Sequence, residues 1–566
     1  MRHEFRILVV GQQLECHSLA LETVLTTLQL SSSRHSGRRC CCREHKPGHL
    51  LGPLMRVAGI VFGLVFFLIC GQTMARPFPG GMALASSVSG LTEFAPDRIF
   101  QRVGTAKTLY FGGSYSGNPS TVSVQVVDAT TGAVLVPWAT IQSNPSGGEF
   151  FGTLSVPQYD GWMRWQVRLD GVSASITTSQ RRFGVGALIL LTGQSNMAGL
   201  WARSSGSPPT PTTNARRYAG NGWLAIDAST IAGEINDGFN TGRGADGISE
   251  LANRLHTLLG VNIGLLEYAV GSTSSAQWAQ GGSMYLQMTG PGSSAPFGIT
   301  HADVGSDIEV IFHYQGEYDT INATSWATWQ SNTGSYYSGV KSLTRTSLPL
   351  GIELLGWAIS FPGTSDASWS LIKGAQLSFV ANNGPSVFVA ASPADGTLTT
   401  PTPYIHFDGA SYKRFARRLA QSYAFYLDSA TYSGAGPVIS SVTWASGTPA
   451  VLTVNVTPSP GASLKEGAGG SGASVNSFRV FNGATPLTIS SVAISGNAVV
   501  LTLSANIAQA DVTAGSIKVD YEYGESPHGA STPPNLANFV FDDAAPVGDT
   551  LGLPLRPTNG QMTVTQ

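Results

Sequence analysis

The chain has 566 residues, too many for one ordinary core, and at roughly 100–200 residues per domain three domains are expected. Only 12% of the residues are charged and the net charge is −2, which argues against nucleic acid or an anionic membrane surface as partner. All five cysteines lie at or before Cys70, so the rest of the chain can form no disulfide and offer no thiolate nucleophile.

In chain order, the first feature is the apolar run Val57–Ile69, preceded by Met55-Arg56 and followed by Thr73-Met-Ala75. This is the form of a signal peptide cleaved after Ala75, and the run is shorter than the ~20 residues that a spanning helix needs. The expectation is an exported protein, extracellular or periplasmic, with residues 55–75 removed. Signal peptides normally open a chain, so residues 1–54, which carry Arg38-Arg-Cys-Cys-Cys-Arg43, read as a non-native extension with Met55 as the true start.

Residues 90–184 read as short alternating strands, such as Thr121–Val127 and Trp162–Arg168, with a hairpin turn at Asp128-Ala-Thr-Thr-Gly132. A small N-terminal β-sandwich is expected. From 185 to 430 the pattern changes to apolar runs alternating with helical segments: Ala187–Thr192, Ser249–Leu259, Val261–Ala269, Ile308–Tyr314, Ile352–Ile359, Trp369–Asn382, Val387–Ala391 and Ser411–Leu427. Fully apolar strands alternating with helices imply an α/β domain, a parallel sheet covered on both faces. Sites in such sheets form at the carboxyl ends of the strands. After the linker Tyr432–Pro437, residues 437–545 return to short strands and resemble, in composition, an Ig-like β-sandwich. Residues 546–566 read as a disordered tail.

Ser195 follows the apolar run at a Gly-Gln-Ser-Asn turn. A serine there presents its hydroxyl at the sheet's edge, and free backbone N–H groups at a helix start beyond it can stabilise an oxyanion. A helix N-cap explains the same serine equally well. Two further polar turns break the tie: Val270-Gly-Ser-Thr273 and Gln315-Gly-Glu317, each at the end of an apolar strand. A serine hydroxyl needs a base within hydrogen-bond reach. His406 lies in a loop before a helix, whereas His256 sits inside an amphipathic helix and His313 inside a buried strand. His301, in a Gly/Ser-rich loop, is the remaining competitor.

These blocks together resemble the SGNH hydrolases, and within them the sialate O-acetylesterase and acetylxylan esterase-like branch. Leu191-Thr-Gly-Gln-Ser-Asn-Met197 is similar to that branch's nucleophile block. Tyr314-Gln-Gly-Glu-Tyr-Asp319 is similar to its Gln-Gly-Glu block, with Tyr318 in place of a serine, and Ile405-His-Phe-Asp408 opens its histidine block. Gly271 falls at a turn that reads Gly-Gly-Thr in the family and Gly-Ser-Thr here. The resemblance covers residues 185–427. It implies a flavodoxin-like three-layer domain flanked by the two β-sandwiches, with Ser195 as nucleophile and His406 as general base. The oxyanion hole would be the N–H groups of Ser195 and Gly271 with the Gln315 side-chain amide.

The family's aspartate, three residues before the histidine, is here Pro403. Glu317 is the favoured replacement, Asp395 the alternative, and Asp408 reads better as a helix cap. Trp278 reads equally well as a pocket wall or as core. No His-Glu-x-x-His motif, helical His pair or late cysteine points to a metal, and no cofactor is implied. The expected substrate is an acetylated carbohydrate. Sialic acid would ask for a cation to meet its carboxylate, with Arg243 as a candidate, whereas xylan would not. The rival expectation is a non-catalytic surface or carbohydrate-binding module with a degenerate domain, for which the absent aspartate speaks.

Overall fold

The computed structural model describes residues 85–198, 200, 209–218, 222–226, 245–290, 305, 307–399, 405–467, 477–527, 534, 536 and 539–566. The expected extension 1–54, the signal peptide 55–75, and Arg243, His301 and Pro403 lie outside these residues. Residues from Gly80 onward belong to one compact unit.

The central sheet is built on six strands: β1 (Phe183–Gly193), β2 (Ala215–Tyr218), β3 (Ile263–Ala269), β4 (Val310–Tyr314), β5 (Leu350–Glu353) and β6 (Val387–Ala391). They stand in the order β2-β3-β1-β4-β5-β6, all parallel, with the short antiparallel strand Trp223–Leu224 outside β2. Four long helices cover it: α1 (Asp246–Leu259), α2 (Trp326–Leu343), α3 (Asp366–Asn383) and α4 (Gly409–Tyr426). Every residue of β1 is buried. Ala187, Ile189 and Leu191 enter the core shared with α1 and α4. Leu188 and Leu190 enter the other core, with Trp329 and Tyr336 of α2 and Ile372 of α3. Burial on both faces is why the run Ala187–Leu191 is apolar at every position rather than at alternate ones.

Helix α2 is not among the elements expected from the sequence pattern. Its residues include two glycines and many Ser and Thr, poor helix formers. Trp329, Thr333, Tyr336, Tyr337 and Val340 nevertheless recur on one helical face and are buried, so packing overrides propensity. The run Ile352–Ile359 is a strand only to Glu353.

The expected boundary at 184/185 falls inside β1. Phe183–Gly186 pairs in parallel with Arg98–Gln101, while Ala187–Gly193 pairs with the central strands. The N-terminal β-rich region therefore continues into the central sheet through one strand. Arg102 reinforces the join by an ion pair of 2.8 Å to Glu309, the residue before β4.

The C-terminal β-rich region holds an eight-stranded sheet and a small three-stranded one. The disordered tail expected after 546 is a correction. Met562–Thr565 forms a strand between Val438–Trp444 and Ile517–Tyr521, and Leu553 and Leu555 are fully buried. The polar composition around them had concealed this short apolar alternation. Glu525 fastens this region to the central domain: its carboxylate accepts from Thr364 Oγ1 at 2.7 Å, and its N–H donates to Asp366 at 2.9 Å.

Candidate active site

β1 ends at Gly193 with φ +128°, where a Cβ would collide with the Tyr314 carbonyl. The N–H of Gln194 donates to Tyr314 O, and that of Val270 to Gly193 O, both at 2.9 Å. The Gln194 side-chain oxygen accepts from the N–H groups of Gly316 and Tyr318. The end of β1 is thus fixed between the ends of β3 and β4, and the helical turn Ser195–Ala198 starts at the sheet's carboxyl edge.

His406 Nε2 lies 2.9 Å from Ser195 Oγ, across 211 positions of sequence. The His406 carbonyl accepts from Thr399 N at 2.7 Å and from Thr399 Oγ1 at 3.1 Å, which holds the loop in place. Burial pushes the imidazole down to about 4, so it is neutral at pH 7 and able to take a proton. A hydroxyl hydrogen-bonded to a neutral imidazole is the arrangement that makes a serine nucleophilic. Among the described residues, the N–H groups of Ser195 and Gly271 meet no hydrogen-bond acceptor. Gly271 follows β3 in a turn whose next residue, Ser272, is held at φ +58°. That left-handed conformation is easy for the glycine the family has there and strained for serine.

Gln315 is a correction. Its amide donates to Thr273 O at 3.2 Å and to Asp319, and its side-chain oxygen accepts from Trp329 Nε1 at 2.9 Å. The side chain is 1% exposed and fully engaged in joining the β3 and β4 turns, so it is not an oxyanion donor. Asp319, which sequence reasoning missed, also accepts from the N–H and hydroxyl of Ser275, each at 2.7 Å. The motif fixes the backbone position of Gln315 but not the direction in which its side chain leaves the strand.

The carboxylates are a second correction. Glu317 accepts from Asn196 Nδ2 at 2.6 Å, and Asp395 is held bidentately by Arg418 at 2.6 and 2.8 Å. Neither hydrogen-bonds His406. Burial raises Glu317 to about 7 despite the Asn196 hydrogen bond, which lowers it. Burial also raises Glu353, to about 8, with the nearby charge of Glu317 adding to the effect. At Asp395 burial acts upward, but Arg418 and Arg414 more than offset it and hold the carboxyl below its ordinary value. Asp408 caps α4, accepting from Ser411 N at 2.8 Å.

Asn196 emerges as the junction of the site. Its Nδ2 also donates to Ile405 O at 3.1 Å, and its Oδ1 accepts from Tyr412 OH at 2.6 Å. One side chain ties the serine turn to the histidine loop, to α4 and to Glu317. The only signal in the sequence was its place beside Ser195. Among the described residues, the other two histidines are occupied elsewhere: His313 is buried against Thr192, pushed down to about 3 by burial, and His256 meets Asp160 at 2.6 Å. Trp278 is 1% exposed, packs edge-on to Tyr268 and Tyr336, and is core.

Residues 185–425 match the family model described as carbohydrate esterase, sialic acid-specific acetylesterase. Among solved structures, the chain is similar to a carbohydrate acetylesterase from Xanthomonas citri. The two are 18% identical, with 82% of this chain and 97% of that one covered and a TM-score of 0.54, a likeness of fold. A protein from Arabidopsis thaliana is 21% identical over 43% of this chain and 98% of its own, with a TM-score of 0.33. A family two carbohydrate esterase from Clostridium thermocellum, in complex with cellohexaose, is 12% identical over 59% and 95%, with a TM-score of 0.27. No curated protein matches the chain. Over residues 185–425 the chain thus matches the sialic acid-specific acetylesterase family of carbohydrate esterases, and the protein is a carboxylic ester hydrolase.

Proposed function

We propose that the enzyme removes O-acetyl groups from carbohydrate, of the sialate or acetylxylan type, through an acetyl-enzyme on Ser195. The 2.9 Å contact between His406 Nε2 and Ser195 Oγ carries this reading. Ser195 Oγ attacks the ester carbonyl carbon as its proton passes to His406 Nε2. The N–H groups of Ser195 and Gly271 stabilise the oxyanion. Collapse of the intermediate breaks the bond to the sugar oxygen, which takes the proton from His406. Water, deprotonated by the same imidazole, then attacks the acetyl-enzyme; the Ser195 Oγ–acyl bond breaks, acetate leaves, and Oγ takes the proton back from His406. Glu317 supports the pair through Asn196 rather than by orienting the imidazole itself.

The strand order β3-β1-β4-β5-β6 supports the flavodoxin-like reading of the central domain, with β2 as an added edge. The flanking β-rich regions we read as two sandwich domains, and the apolar run Val57–Ile69 as an export signal. The test is hydrolysis of p-nitrophenyl acetate by the wild type, Ser195→Ala and His406→Ala. Both variants should lose nearly all turnover, and a Ser195→Ala enzyme that still hydrolyses the ester would defeat the assignment. Acetate release from acetylated xylan, pectin and sialic acid identifies the sugar.

A further inference from the structure

A cavity of about 560 Å³ opens between α3 and the C-terminal β-rich region, and Lys373, Arg479, Asp520 and Tyr523 are among its lining residues. Its size falls within the ~300–1,000 Å³ range of small-molecule sites. The walls combine aromatic and charged groups. The Arg479 guanidinium lies 3.3 Å from the centroid of the Tyr523 ring and 5.0 Å from that of Phe481, within cation–π reach of both. Asp520 accepts from it bidentately at 2.8 and 2.7 Å. Trp326, at the start of α2, adds a third aromatic surface.

Lys373 is 3% exposed, and its single hydrogen bond is a long one, 3.3 Å to Glu522 O. An ammonium carries three N–H donors, and a buried polar group without its full set of partners costs free energy. Oxygen atoms of an occupant would supply what the protein does not. The lining charges balance, with Lys373 and Arg479 facing Asp520 and Glu522, so the cavity offers no net attraction for an anion or a cation. Aromatic faces beside hydrogen-bonding groups of balanced charge suit a ring with apolar C–H faces and neutral hydroxyls at its edge.

We propose that this cavity is a second carbohydrate site, taking a neutral sugar segment of a polysaccharide with Lys373 Nζ donating to a ring hydroxyl. It stands apart from the Ser195 chemistry but shares a framework with it. Gln376, three residues beyond Lys373 on α3, donates to Gln315 O at 3.1 Å and accepts from Leu355 N at 2.8 Å, at the carboxyl edge of the central sheet. A chain held on one end of α3 is thereby kept near the domain that deacetylates it.

The test is calorimetric titration of the intact protein with xylohexaose, cellohexaose and an oligogalacturonate, with p-nitrophenyl acetate turnover measured in parallel. At least one neutral hexaose should bind the wild type. Tyr523→Ala should weaken that binding roughly tenfold, the scale of one lost aromatic face. Ala484→Trp places a bulky ring at an exposed residue of the cavity lining that takes part in none of its ion pairs, and should weaken it at least as much. Ester turnover should be unchanged in both variants, which separates failure of this site from failure of the Ser195 assignment. No binding of either neutral hexaose, equal binding in wild type and Ala484→Trp, or preference for the oligogalacturonate would each overturn the proposal.

Discussion

Asn196→Ala removes three hydrogen bonds at once: to the Glu317 carboxylate, to Ile405 O and from Tyr412 OH. A bond to a charged group contributes about 1.5–3 kcal/mol and a neutral one about 1 kcal/mol, so the total is about 3–5 kcal/mol. The same truncation frees the histidine loop from the serine turn. A shift of about 1 Å between reacting groups costs about 10²-fold in rate. Urea unfolding should show the stability loss, and p-nitrophenyl acetate kinetics should show a kcat reduced by that order with KM little changed. Glu317→Gln keeps an acceptor oxygen for Asn196 and should retain most of the activity, whereas Glu317→Leu should not. A stable Asn196→Ala enzyme with wild-type kcat would refute the reasoning, because it would mean that the Ser195–His406 contact holds itself.

Because burial lowers His406 to about 4, the acid limb of kcat/KM should fall near pH 4, and a limb near 6.5 would mean a solvated base. Glu317 and Glu353 have folded values of about 7 and 8, above their unfolded values, so the stability they favour is present at low pH and lost as pH rises through those values. His406 and His313 are shifted the other way and add stability as pH rises toward 6.5, so a net decline shows only between about pH 6.5 and 8. Glu353→Gln should flatten that decline in urea titrations at the two pH values; an unchanged slope would count against the buried pair. Asp395→Asn disrupts the buried pair with Arg418 and should cost about 3–5 kcal/mol while leaving kcat of the folded enzyme intact. A selective kcat loss there would restore Asp395 as the group behind His406. Ser272→Gly relieves a left-handed serine and should raise stability by up to about 1 kcal/mol, seen as a higher Tm.

The sequence made the central domain legible because β1, β4 and β6 are dominated by apolar residues and the helices α1 and α4 carry a clear amphipathic period. It hid α2, whose Ser, Thr and Gly content masks a buried aromatic face, and it hid Met562–Thr565, too short to stand out from a polar tail. Within the site, Ser195 and His406 were readable because each occupies a turn that the strand pattern places at the sheet's edge. Gln315 and Glu317 were placed correctly along the chain and wrongly in role. Side-chain direction at a tight turn depends on partners far away in sequence, here Thr273, Asp319, Trp329 and Asn196. Asn196 went unnoticed because its importance lies in contacts to residues more than 100 positions away.

The most direct test of the central claim is the site of covalent labelling by a fluorophosphonate, read by peptide mass spectrometry on the intact protein. The adduct should sit on Ser195 and be lost or greatly slowed in His406→Ala. An adduct on another residue, or labelling at an unchanged rate without His406, would contradict the account.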